Sequence, residues 1–107
     1  MPCKAAGADL TATFRLTLQA EADFDLIGAY TLEMWGEDQA IRYLTKLDET
    51  FAALARSSVL GKDRSDLRRD LLCCPCNRHV IFFRRDERGD VETLRILHER
   101  MDFERFL

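Results

Sequence analysis

The chain is short of the residues that interrupt structure. Its 107 positions hold two prolines and five glycines, with no Pro- or Gly-rich linker, no internal repeat and no low-complexity tract to mark a second domain. It has no stretch of the ~18 uncharged apolar residues that a membrane span needs. The opening Met1-Pro2-Cys3-Lys4-Ala5-Ala6-Gly7 leads into no apolar h-region, so no secretory signal is expected and the cytoplasm is the default compartment. Three of the four cysteines crowd into Cys73–Cys76, too close together to staple distant elements, which excludes a disulfide framework. Histidine occurs only at 79 and 98. Neither a Gly-rich phosphate loop nor a serine-nucleophile signature is present. Positive charge is scarce overall: the formal net charge is −3, which argues against a bulk electrostatic nucleic-acid binder.

What the chain does have is an ordinary globular balance, 47% hydrophobic and 33% charged. That is enough apolar surface for one packed domain and excludes a wholly disordered chain. The charge is unevenly spread. Residues 1–57 carry nine acids against five bases, whereas Arg64–Arg85 carries six arginines against Asp66 and Asp70. Of the 16 basic residues 13 are Arg, the side chain suited to bidentate contacts with phosphate or carboxylate. Any single one of them is more often a solvated surface group.

Residues 1–12 lack periodicity and read as a disordered or tag-like lead, leaving 13–107 as one domain. Phe14, Leu16 and Leu18 alternate, predicting a first strand with one buried side. From Gln19 the period becomes helical, with Phe24, Ile27, Tyr30/Thr31 and Met34 on one face, joined by Trp35, and Gly36 as the stop. A second helix is predicted over about Asp38–Ser57, with Ala40, Tyr43/Leu44, Leu47, Phe51, Leu54 and Ala55 as its stripe. So short a joint makes the pair an antiparallel helical hairpin. Phe24, Ile27, Leu44, Leu47, Phe51 and Leu54 are expected to pack it against a sheet. Leu67–Cys76, Arg78–Arg84 and Val91–His98 read as strands, and Asp102–Phe106 as a last helical turn. In the final strand Val91, Thr93, Arg95 and Leu97 are expected to point one way, with Leu94, Ile96 and His98 the other way. The order β-α-α-β-β-β predicts an α+β fold, a helical hairpin on one face of a small antiparallel sheet. The other face would then be thinly covered, and the two-sided apolar run Val80–Phe83 would need a partner.

Two constellations bear on chemistry. Cys73-Cys74-Pro75-Cys76 contains a C-x-x-C, but no helix N-terminus follows to lower a thiol pKa, and zinc needs two such pairs. Two core cysteines and one half-exposed thiol is the favoured reading. His98, with Arg68, Arg78 or Arg84, offers a base and phosphate-binding cations, the outline of a ribonuclease. A strand-end histidine bonded to a neighbouring carbonyl is the structural alternative, and the favoured one.

The run Ala20-Glu21-Ala22-Asp23-Phe24 … Ile27 … Tyr30 … Trp35-Gly36 resembles the first helix of ParE-type toxins of the RelE/ParE superfamily. Tyr43-Leu44 … Leu47 and Phe51 … Leu54-Ala55 resemble the second. Leu67-Arg68 … Cys74-Pro75-Cys76-Asn77-Arg78-His79-Val80-Ile81-Phe82-Phe83-Arg84 is similar to the family's Leu-Arg … Pro-Val-Gly-Arg-His-Val-Ile-Phe-Tyr-Arg pattern. Ile96-Leu97-His98-Glu99-Arg100-Met101-Asp102 is similar to its closing Ile-Leu-His-x-x-Met-Asp. The likeness runs from about Phe14 to Leu107. It departs at Cys74, Cys76 and Asn77, where the family has an aromatic, Val and Gly; Asn tolerates the left-handed turn that Gly would take.

The resemblance implies the toxin of a bacterial type II toxin–antitoxin pair, which inhibits DNA gyrase by binding and is neutralised by a ParD-like antitoxin. DNA would be met only indirectly, through the antitoxin, and neither a membrane nor a cofactor or metal is implied. Arg68, Arg78, Arg84, His98 and Arg100 are the expected target contacts. Arg64, Arg69, Val80 and Phe82 are the expected antitoxin contacts, in keeping with the charge of Arg64–Arg85. The alternative is a RelE-like ribosome-dependent mRNA endonuclease with His98, Arg68, Arg78 and Arg84 as its catalytic set. The absence of Tyr from the late strands and tail weighs against it.

Overall fold

The structure, a computed structural model, describes residues 13–107; the expected lead at 1–12, with Cys3, lies outside them. In chain order the elements are β1 (Phe14–Leu16), α1 (Leu18–Trp35), α2 (Glu37–Arg56), β2 (Lys62–Asp63), β3 (Leu72–Cys76), β4 (His79–Arg85), β5 (Val91–His98) and α3 (Phe103–Phe106). The strands form one sheet in the order β1-β5-β4-β3-β2, and α1 and α2 lie together on one face of it.

Local chemistry sets these boundaries. The Thr17 hydroxyl accepts from Ala20 N–H at 3.1 Å, an N-cap that starts α1 at once. Leu18 is therefore the first residue of a helix and exposed, not the third apolar residue of a strand. Gly36 separates the helices at φ 91°, a conformation that costs an L side chain energy but not glycine. Asn77 at φ 56° turns β3 into β4, with Cys76 opposite His79.

Further expectations change. The sheet is mixed rather than antiparallel, because β1 runs parallel to β5, with Phe14 beside Val91 and Leu16 beside Thr93. The reason is β2. Its two polar residues carry no alternation to read, yet they pair antiparallel with β3. Three reversals from β2 bring β5 back to the direction of β1. The second expected strand starts at Leu72, not Leu67, because residues 64–71 form tight turns closed by Arg64 N–H to the Leu71 carbonyl at 2.8 Å.

The alternation of β5 breaks at a bulge. Phe83 pairs with Thr93 and Phe82 with Arg95, so Leu94 is an inserted residue. Val91 and Ile96 consequently share the helix-side core, and Leu94 and Leu97 the opposite one.

Under the helices Ile27, Leu47, Phe51 and Leu54 pack on Ile81, Phe83, Val91 and Ile96, with Phe24 and Leu44 at the margin. On the reverse face Phe82 is fully buried. Its ring meets that of Phe103 at 4.9 Å, and Met101, Leu107 and Leu67 close around it. The run Val80–Phe83 is thus covered by the chain's own C-terminal turn and the 64–71 turn, and does not stand bare.

Candidate functional site

Beyond Leu16 the edge of β5 has no strand partner among the described residues, and Thr17 and α1 supply side chains instead. Thr17 Oγ1 donates to the Leu94 carbonyl at 3.0 Å. Asp23 Oδ2 accepts the Ile96 N–H at 2.9 Å and Arg95 Nε at 2.8 Å, while Asp23 Oδ1 accepts Arg95 Nη2 at 3.0 Å. Both side chains are largely shielded, and the bond to Asp23 pushes the Arg95 pKa up. Arg95 also donates to the Phe106 carbonyl at 3.1 Å. It therefore ties α1, β5 and the C-terminal turn together, with few donors left for a ligand.

The expected target residues fall into two groups. At one end of the sheet Arg78, His98 and Arg100 lie close together. Arg78 pairs with Glu99 at 3.6 Å, and His98 Nδ1 accepts the Arg100 N–H at 3.1 Å. His79 sits opposite His98 in the sheet, their rings 5.2 Å apart edge to face. Tyr43, from α2, completes this end. Its hydroxyl accepts the Arg78 N–H at 3.1 Å and bonds His79 Nδ1 at 2.6 Å. Burial pushes the Tyr43 hydroxyl up. Burial, and then the neighbouring His98, push His79 down. Tyr43 did not stand out in the sequence as a member of this end, because α2 brings it there from 36 residues away.

The other group is Arg68 and Arg84, on the sheet face away from the helices. They line a polar pocket of about 390 Å³ with Glu92, Arg95 and the C-terminal Phe106 and Leu107. Arg84 Nε donates to Glu92 at 3.1 Å. Arg78 stands just before β4 and Arg84 lies six residues on, about 20 Å away at strand rise. A single phosphate therefore cannot meet His98, Arg68, Arg78 and Arg84 together, and the nuclease quartet is not assembled.

The expected antitoxin contacts are scattered. Arg64 is held bidentate by Asp66 at 3.0 and 3.1 Å, and that bond raises its pKa. Arg69 is in open solvent and Val80 is half-buried. Phe82, being fully buried, offers no surface. The cysteines divide between the two cores, Cys73 on one side and Cys76 on the other. Burial raises the thiols of Cys73 and Cys74, which makes them poor nucleophiles.

An apolar surface lies on the outer side of the helical hairpin, where the sequence suggests only core stripe. A cleft of about 350 Å³ runs between α1 and α2, floored by Gly28, Ala40 and Leu44 and walled by Leu32 and Ile41. A Cβ on Gly28 would stand 3.0 Å from Leu44, so this glycine lets the helices approach closely. Leu26, Tyr30, Met34 and Trp35 are also exposed, on other sides of α1, with Leu26 and Trp35 each 69% exposed. Tyr30, Met34 and Trp35 thus face out, not onto the sheet. The signal was in the sequence: α1 is apolar on more than one side, which a helix with one solvated face does not need.

The model of the family described as ParE toxin of type II toxin-antitoxin system, parDE, matches residues 14–103. A protein named toxin ParE1 from Caulobacter vibrioides is 35% identical over 89 residues, covering 83% of this chain and 91% of that protein. One named toxin ParE from Escherichia coli is 39% identical over 87 residues, covering 81% and 84%. Among solved structures, the chromosomal ParDE toxin–antitoxin system of P. aeruginosa superposes with a TM-score of 0.70 at 19% identity, covering 81% of this chain and 95% of that one. The RelBE2 toxin–antitoxin complex of Mycobacterium tuberculosis gives 0.59 at 24%, covering 81% and 96%. At those identities the structural likeness speaks for the fold.

Proposed function

The chain belongs to the ParE toxin family of type II toxin–antitoxin systems, and we propose that it inhibits DNA gyrase by binding, in the cytoplasm, and is neutralised there by a ParD-like antitoxin. The observation that carries the antitoxin half is the open apolar cleft between α1 and α2. Two antiparallel helices present a groove that accepts the ridge of a third, and an amphipathic helix with apolar residues at i, i+3, i+4 and i+7 fits it. Arg69 and Val80 offer further contact where such a segment wraps on toward the sheet. DNA is met only through the antitoxin.

The target half draws on Arg68, Arg78, Arg84, His98 and Arg100. Their division between two places about 20 Å apart suits recognition of a broad protein surface better than concerted chemistry on one phosphodiester. No helix among the described residues is long and apolar enough to cross a membrane.

Purified toxin is tested in parallel against gyrase supercoiling and against in vitro translation. Supercoiling is expected to fall and to recover on adding antitoxin, with mRNA intact; untouched supercoiling with cut mRNA overturns the reading. Leu32→Glu, in the cleft, is expected to weaken antitoxin binding at least tenfold while leaving supercoiling inhibition in place.

A further inference from the structure

Three arginines of this chain have their guanidinium groups held inside the fold by hydrogen bonds. Arg95 is held by Asp23 and the Phe106 carbonyl. Arg85 donates to the carbonyls of Leu54, Ser57 and Leu60, and Arg64 is closed on Asp66. The polar pocket on the reverse face of the sheet is different. Arg68 makes no side-chain hydrogen bond or ion pair among the described residues, although it lines a pocket of about 390 Å³. Arg84 spends Nε on Glu92, which leaves its two terminal nitrogens. Glu92 cannot neutralise both, since it also pairs with Arg15 at 3.4 Å. The lining is mostly polar; the apolar side chain open beside it is Phe106, 41% exposed.

We propose that this pocket is a carboxylate-binding subsite, in which Arg68 and Arg84 grip an acidic side chain of a protein partner while Phe106 and Leu107 receive an apolar neighbour of that side chain. Planar guanidinium forks match a carboxylate bidentately. The exposed Phe106 ring adds a contact that a bare phosphate would not use. A net charge of −3 over the whole chain works against a polyanion such as DNA, which gathers many cations along one face, but not against a single carboxylate. The inference deepens the target reading by naming the chemical group that this part of the sheet takes up.

The test is an NMR titration of the full toxin with acetyl-glutamyl-leucinamide, with the glutaminyl isostere, and with a short DNA duplex. The glutamyl peptide is expected to shift Arg68, Arg84, Leu94 and Phe106 saturably, and the glutaminyl peptide at least tenfold more weakly. Arg68→Gln with Arg84→Gln is expected to abolish the response. Arg68→Gln alone, which removes no internal contact, is expected to weaken it about fivefold and guards against a misfolded double variant. Equal response to the two peptides overturns the proposal. So does stronger binding of the duplex at the same resonances, which would mark a nucleic-acid surface. Gyrase takes no part in the titration, so a toxin that leaves supercoiling untouched would sink the target reading and leave this subsite standing.

Discussion

Beneath the helical hairpin the sheet packs Ile81, Phe83, Val91 and Ile96 against two long helices; on its reverse face Phe82, Leu94 and Leu97 are covered by short pieces, the C-terminal turn and the 64–71 turn. The first cover is built from periodic sequence and closes the whole face. The second is a patch held by a few contacts, Phe103 on Phe82 and Arg95 on the Phe106 carbonyl. It leaves a polar gap at Arg68 and Arg84. A small domain can thus seal one face for stability and keep the other partly open for recognition.

Truncating a ring on each face tests that contrast most strongly. Phe51→Ala, which empties the helix-side core between Phe14 and Phe24, is expected to cost about 4 kcal/mol. Phe103→Ala on the reverse face is expected to cost about 2 kcal/mol, because its half-buried site can collapse or admit water. Urea midpoints measure both, and equal costs would erase the distinction. Next is Asp23→Ala, which strands Arg95 and the Ile96 N–H together. The expected loss is about 3 kcal/mol, and faster amide exchange should be confined to the β5 edge and the C-terminal turn. Thr93→Val should go the other way. The Thr93 hydroxyl is buried and has no hydrogen-bond partner among the described residues, so an isosteric methyl is expected to raise stability by about 1 kcal/mol.

The smallest effect concerns the Tyr43–His79 contact. Burial lowers the His79 pKa, so the folded protein binds that proton more weakly than the unfolded chain. Its contribution is whole above the ordinary imidazole value near 6.5 and is lost as pH falls below it. Unfolding at about pH 7.5 and about pH 5.5 should show a larger acid loss in the native toxin than in His79→Gln.

Much of the architecture was legible because it rests on periodicity. The helical stripe of Leu47, Phe51 and Leu54 and the apolar run of β4 each allow one burial pattern, and the order of elements follows from them. Residues without a pattern stayed illegible. Lys62-Asp63 is too short and polar to announce a strand, and with it went the parallel pairing of β1. Leu94 looks like one more alternating residue, yet the bulge there exchanges the two faces of β5. The candidate site suffered most, since a basic side chain carries no mark of whether its donors are already taken.

The sequence alone determined that two helices joined at Gly36 lie on a small sheet and that arginine gathers in the second half, because side-chain period and charge are properties of neighbours along the chain. Only the tertiary structure decided that Arg95 and Arg64 are consumed internally, that Arg68 and Arg84 open onto a shared pocket, that Phe82 is sealed, and that an apolar cleft opens on the outer side of the hairpin. Those outcomes depend on groups tens of residues apart meeting or failing to meet, and hydrogen-bond partners and solvent exposure exist only once the chain has closed on itself.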